Sequence, residues 1–262
     1  MIGLIIVLVI IIIGVFVLYF LSKSSKLENF KVENIKDLVF KNQLCKIKGD
    51  LKSTKEIKTV LSNKKCVAYF YDLESFGYAK DLASCIFLLQ NVMRYDFHKI
   101  GVFQKHNDLS ISDGSGTIKI LNKDFSDFYL EPKAYYLIVL KDPKKSKDIK
   151  TQNDFSFLNF NEFIKSKSKF CNYNVIEITK EQYYNLGCNM DYTLKSISSK
   201  NSTLKLTNFS SFQVLKLSTI RVKEYYIKDS ECVELIGTFV KKKIKYLDRL
   251  NDDKLIISSA NK

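Results

Sequence analysis

Between Asp108 and Leu121 the chain reads DLSISDGSGTIKIL. Leu109 and Ile111 alternate with Asp108, Ser110 and Ser112, and Ile118 and Ile120 alternate with Thr117 and Lys119. A period of two gives each arm one apolar and one polar face, as a half-buried strand requires. Asp113-Gly114-Ser115-Gly116 lies between them and holds the residue types that tolerate a tight reversal. The stretch therefore predicts a β-hairpin with one face on a core.

Similar signals recur on both sides of it. Gln43 to Leu51 (QLCKIKGDL) alternates imperfectly through Leu44, Lys46, Ile47 and Lys48, with Gly49 where a bulge or close approach would sit. Cys66 to Tyr71 (CVAYFY) is a run of β-formers after a turn at Ser62-Asn63-Lys64-Lys65. Further strands are expected at Ile100 to Gln104, Ala134 to Leu140 (AYYLIVL), Val175 to Ile178, Thr203 to Leu206, Phe212 to Leu217, Cys232 to Val240 with Gly237 inside it, and Leu255 to Ser258. A helix is expected around Phe160 to Lys167, and a short amphipathic helix or linker within Ser22 to Lys41. The expected fold is mainly β, an OB-like barrel or a sandwich with minor helices.

Composition sets the outer limits. At 46% hydrophobic and 27% charged, the 262 residues are too apolar for a disordered chain, and 9 Gly with 2 Pro exclude collagen-like and Pro-rich designs. The charge is unevenly placed. Residues 1–21, MIGLIIVLVIIIIGVFVLYFL, carry none, so the formal +14 (42 Lys+Arg, 28 Asp+Glu) belongs to the rest. At about 1.5 Å per residue this stretch covers roughly 31 Å, one hydrocarbon core, and predicts a transmembrane helix. A cleaved signal peptide would need a basic start, a shorter apolar run and small residues at its end. Lys23, Lys26, Lys31, Lys36 and Lys41 follow the span, which orients the N-terminus outside the cell membrane and the remainder in the cytoplasm. Residues 22–42 then read as a basic juxtamembrane linker. Residues 43–259 read as one β domain, because no Pro/Ser-rich stretch interrupts them.

Side chains with reactive or ligating chemistry are sparse. Cys45, Cys66, Cys85, Cys171, Cys188 and Cys232 stand at least 17 positions apart, so no Cys-x-x-Cys pair can clasp zinc and no disulfide scaffold is implied. His98 and His106 have no accompanying nucleophile signature. Asp113-Gly114-Ser115-Gly116 lacks the Lys-Ser/Thr and following helix of a phosphate-binding loop, and a turn accounts for it. No catalytic, cofactor-binding or metal residue is expected. Lysine clusters at 141–150, 165–169 and 241–245 admit nucleic acid as a partner. An anionic leaflet suits the anchor better, at about 1 kcal/mol per juxtamembrane lysine. A protein partner of unspecified identity is also expected, and nucleic acid is not.

Several pieces stand in a distinctive order. They are Ile47-Lys48-Gly49, Leu61 through Cys66-Val67-Ala68-Tyr69, the hairpin with Asp113, Gly114 and Gly116, then Glu224, Val233, Gly237 and Val240, and the closing Leu255-Ile256-Ile257-Ser258. Beside a membrane span, this order resembles the GIDE family, also called the BAM ("beside a membrane") domain, whose best-known member is a mitochondrial RING-type ubiquitin ligase. The resemblance covers Gln43 to Leu121 and Arg221 to Ser258. It implies a membrane-side β domain that binds or scaffolds proteins, with Gly49, Cys66, Tyr69, Asp113, Gly114, Gly116, Glu224 and Gly237 as structural motif positions. Two departures stand out: the ligase's second span and its RING are missing, and a RING needs eight Cys/His ligands. Two alternatives remain: a ligase-like protein that borrows a RING in trans, and a membrane-tethered OB-like nucleic-acid binder.

Overall fold

A computed structural model describes residues 31–38, 43–78, 95–121, 125, 127–140, 173–200, 219–240, 243–245 and 255–260, and these are mainly β. Their contacts separate two compact units. One holds the described residues among 1–50, 110–129 and 232–262, the other those among 51–109 and 130–231.

In the first unit, strands β1 (Gln43–Ser53), β6 (Leu109–Ser112), β7 (Thr117–Ile120), β13 (Lys243–Lys245) and β12 (Glu231–Val240) neighbour one another in that order. An additional β1–β12 pairing closes these five into a ring. The β7–β13 contact is parallel, with Lys119 opposite Lys243 and Ile120 opposite Ile244. Strand β14 (Ile256–Ser259) pairs antiparallel with β12, and β8 (Asp127–Tyr129) runs parallel to β14. Closing a sheet on itself leaves the ring strands no long free edge. The hairpin alternation holds: Ile111, Ile118 and Ile120 are buried, whereas Thr117 and Lys119 are exposed. Cys45, Ile47, Val233, Leu235, Ile244 and Ile257 are buried with them.

The second unit is an antiparallel sheet of β10 (Tyr173–Ile178), β9 (Ala134–Leu140), β11 (Ile220–Ile227), β4 (Ala68–Tyr78) and β5 (Tyr95–His106), in that order. The short pair β2 (Ile57–Lys58) and β3 (Lys65–Cys66) precedes β4. On one face Tyr135, Leu137 and Val139 of β9 pack with Ile176, Ile178 and the helices α1 (Lys180–Cys188) and α2 (Met190–Lys200). On the other, Tyr136 and Ile138 pack with Tyr69, Tyr71, Leu73, Ile220 and Val222. Burial on both faces is why AYYLIVL is an unbroken apolar run. Helix α1 starts in a capping box in which Thr179 and Gln182 satisfy each other's backbone N–H, and α2 buries Met190, Thr193, Leu194 and Ile197 at helical spacing.

The structure adds to the sequence reading in several places. The apolar stretch 1–21, the expected helix at 160–167 and the expected strands at 203–206 and 212–217 lie outside the described residues. Among the described residues no helix is long and apolar enough to cross a membrane. Part of the expected linker is folded: Ile35–Asp37 forms a 3-10 turn, Val32 bridges Lys46 in parallel, and Leu38 is buried. The stretch 43–259 contains parts of both units, and the chain passes between them inside β1, β6 and β12 and once more just after β8, at Tyr129. A boundary inside a strand leaves no linker composition to read.

Leu137→Ala removes a fully buried side chain from the centre of the second unit and is expected to cost about 3 kcal/mol in urea unfolding. Tyr192→Ala, at a side chain 72% exposed, is expected to stay within about 0.5 kcal/mol of the parent.

Candidate functional site

The residues that carry the resemblance are divided between the two units. In the second unit Glu224 is completely buried on β11, opposite Tyr71 on β4 and Ala134 on β9. The Tyr71 hydroxyl donates to Glu224 Oε2 at 2.9 Å and accepts the N–H groups of Val60 at 2.9 Å and Leu61 at 3.1 Å. One donor and two lone pairs are then all in use. Glu224 Oε1 has no hydrogen-bond partner among the described residues. The loop held down by Tyr71 is braced from within: Thr59 Oγ1 and Ser62 Oγ are 2.7 Å apart, and Lys64 N–H donates to Thr59 Oγ1 at 2.9 Å. Asn63 supplies the positive φ of 57° that its turn requires.

Cys66 and Tyr69 share this face with Glu224. Tyr69 lies 5.3 Å from the Tyr71 ring and 6.1 Å from Phe103, and the Cys66 thiol donates to Ile57 O at 3.7 Å. Burial, reinforced by the Glu224 charge, pushes the Cys66 thiol up to about 12. Burial, then Cys66 and Glu224, push Tyr69 up to about 12 as well, and burial with Glu224 raises Tyr71 and Tyr136. A thiol so placed stays protonated at neutral pH and is a poor nucleophile. The cluster fastens a loop to a sheet.

A second polar cluster on the same sheet went unnoticed in the sequence. Arg221 Nε donates to Glu74 Oε2, its Nη1 donates to Tyr183 O at 3.1 Å, and the Tyr183 hydroxyl donates to Glu74 Oε2 at 3.0 Å. The guanidinium lies 4.1 Å from the centre of the Phe97 ring and 4.6 Å from that of Tyr183, and Lys223 Nζ is 3.8 Å from Glu74 Oε1. These contacts seat α1 on the sheet. The available signal was the alternation of IRVKEYYI, obscured by charge at Arg221, Lys223 and Glu224.

In the first unit the turn of the β6–β7 hairpin does more than reverse the chain. Asp113 Oδ1 accepts from the N–H groups of Ser115 at 2.8 Å and Gly116 at 3.0 Å, and Oδ2 accepts from Ile35 N–H at 2.7 Å. Lys36 N–H donates to Ser115 Oγ at 3.1 Å. Gly114 has φ of +84°, the left-handed conformation glycine favours, and a Cβ on Gly116 would lie 2.6 Å from Ile35 Cγ2. Gly49 likewise permits contact, since a Cβ there would lie 2.5 Å from Ser112 O. Gly237 O accepts from the buried Cys45 thiol at 3.5 Å. Burial would raise the Asp113 carboxyl, but the hydrogen bonds from Ile35, Ser115 and Gly116 outweigh it and hold the group below its ordinary value.

Gly49, Asp113, Gly114, Gly116 and Gly237 thus belong to the first unit, and Cys66, Tyr69 and Glu224 to the second. Both histidines lie in β5, with His106 Nδ1 3.0 Å from Asn107 O. Among the described residues no group of three or more His, Cys, Asp or Glu is placed to hold a metal ion. No protein-family model matches the chain, and neither the curated proteins nor the solved structures offer a match.

Tyr71→Phe deprives Glu224, Val60 and Leu61 of their shared partner, for an expected loss of about 2 kcal/mol and faster amide exchange at Val60 and Leu61. Because the folded-state pKa of Asp113 is depressed, its contribution is full above the unfolded value of about 4 and is lost as pH falls through the folded value. Asp113→Ala is therefore expected to lower stability at pH 7 and to flatten the acid limb of a stability–pH curve.

Proposed function

We propose that the chain is a membrane-anchored, GIDE-like module that binds or scaffolds a protein partner at the cytoplasmic face of the membrane. The observation that carries this reading is the shortness of the connection. Residues 31–38 are fastened to the first unit through Lys46, Asp113 and Ser115, so only the nine residues 22–30 separate it from the apolar stretch 1–21. At 3.3–3.6 Å per residue they reach at most about 32 Å. A unit tied this closely to a spanning helix works at the membrane surface.

Two further features support a binding role. Glu224, through Tyr71, and Asp113 fasten one segment to another inside each unit, a structural use that leaves the outer surfaces for a partner. The five-strand ring β1-β6-β7-β13-β12 is compatible with the OB-like barrel expected from the sequence, a frame used for binding. The same ring favours one further reading, a tethered nucleic-acid binder, which requires affinity for single strands that falls steeply with salt.

Alkaline carbonate extraction tests the anchor. The full chain is expected to stay in the membrane pellet, and Ile11→Arg/Ile12→Arg, at about 2.5–3.5 kcal/mol per charge near the span centre, to shift it to the supernatant. Full chain in the supernatant would sink the proposal. Co-purification from detergent then separates the roles: a stoichiometric protein partner supports scaffolding, and salt-sensitive single-stranded nucleic acid supports the second reading.

A further inference from the structure

We propose that residues 31–38 are a releasable strap that sets the length of the tether between the N-terminal apolar segment and the first unit, with the Asp113–Gly116 turn as its catch. The inference rests on the anchored reading above and goes beyond it.

The strap is lightly held. Among the described residues it is held by the Val32–Lys46 bridge, with Glu33 N–H to Lys46 O at 2.9 Å, by Ile35 N–H to Asp113 Oδ2 at 2.7 Å and Lys36 N–H to Ser115 Oγ at 3.1 Å, and by the half-buried Ile35 against Gly116. Leu38 is buried, whereas Lys31, Val32, Asn34, Lys36 and Asp37 are exposed. Segments with few buried contacts open at a small fraction of the global unfolding free energy. Both halves of the device are built without each other. Asp113 keeps its bonds to Ser115 and Gly116 when Ile35 leaves, and on the strap Asn34 Nδ2 donates to Asp37 Oδ2 at 3.1 Å. Opening therefore leaves a formed catch to which the strap can return.

Release changes reach. With the strap seated the tether is residues 22–30; with it free the tether is residues 22–42, because β1 begins at Gln43. Full extension grows from about 32 Å to about 75 Å. The seated state confines the first unit to partners at the bilayer surface. The released state lets it meet partners farther out.

Amide exchange on the full chain in nanodiscs tests the device. In the parent, Ile35 and Lys36 are expected to be protected. Ile35→Pro deletes the donor to Asp113 on the strap side only. Asn34, at φ −79° and ψ 142°, already has the conformation favoured before proline. Lys36 is then expected to exchange about tenfold faster or more, with Ile118 and Leu235 unchanged. Gly116→Ala, which pushes Ile35 away from the hairpin side, is expected to do the same. Unprotected Lys36 in the parent, or unchanged exchange in Ile35→Pro, would overturn the strap. A spin-labelled lipid headgroup reads the tether: its relaxation enhancement at Ile118 is expected to fall in Ile35→Pro, and equal enhancement in both would refute the length change. Absence of any enhancement in the parent would instead count against the anchor, since the exchange measurement does not depend on it.

Discussion

The parallel contact between β7 and β13, Lys119 beside Lys243 and Ile120 beside Ile244, is the constraint on which the first unit depends. Its strands come from three separate stretches of chain, and this pairing makes them a ring. Closure demands that backbones approach closely, and Gly49 against Ser112 O is where a side chain would prevent it. It also fixes where the β6–β7 turn stands. Residues 31–38 can be fastened only because Asp113 and Ser115 are held at that point.

Both units use a carboxylate to attach a segment that propensity alone would not hold. In the first unit Asp113 reaches Ile35, 78 positions away in sequence. In the second, Glu224 positions the Tyr71 hydroxyl, which carries the 59–64 loop, and Glu74 holds Arg221 and Tyr183 between the sheet and α1. Glu224 is buried and Asp113 and Glu74 are half-buried, and a carboxylate withdrawn from water is costly unless partnered, so each stands where donors converge or a tyrosine shares it. Polar residues that draw attention in the sequence are thereby employed in fastening, and a binding surface is expected outside these clusters.

How much of this was legible follows from the physics of each element. The 108–121 hairpin was readable because one face is buried and the other is not, so hydropathy carries the period. Strand β9 was readable because both its faces are covered. Strand β11 was not read, since Arg221 and Lys223 are offset by Glu74 on another strand and Glu224 by Tyr71, relationships absent from local composition. Helices α1 and α2 escaped notice because α1 buries only Tyr183 and Leu186, leaving Thr179 and Gln182 as the signal to use. The division of residues such as Gly49, Asp113 and Glu224 between two units was not legible, because the chain changes unit within strands. The hairpin turn was recognised, and its role as a seat for residues 31–38 required the distant partner.

The ring is the central structural claim, and cross-strand nuclear Overhauser effects between Ile120 and Ile244 test it most directly. Parallel pairing predicts contacts between the backbone protons of these two residues, together with antiparallel contacts between Phe239 and Ile244. If β13 shows the contacts to β12 but none to β7, the sheet is open and the account of the first unit is contradicted.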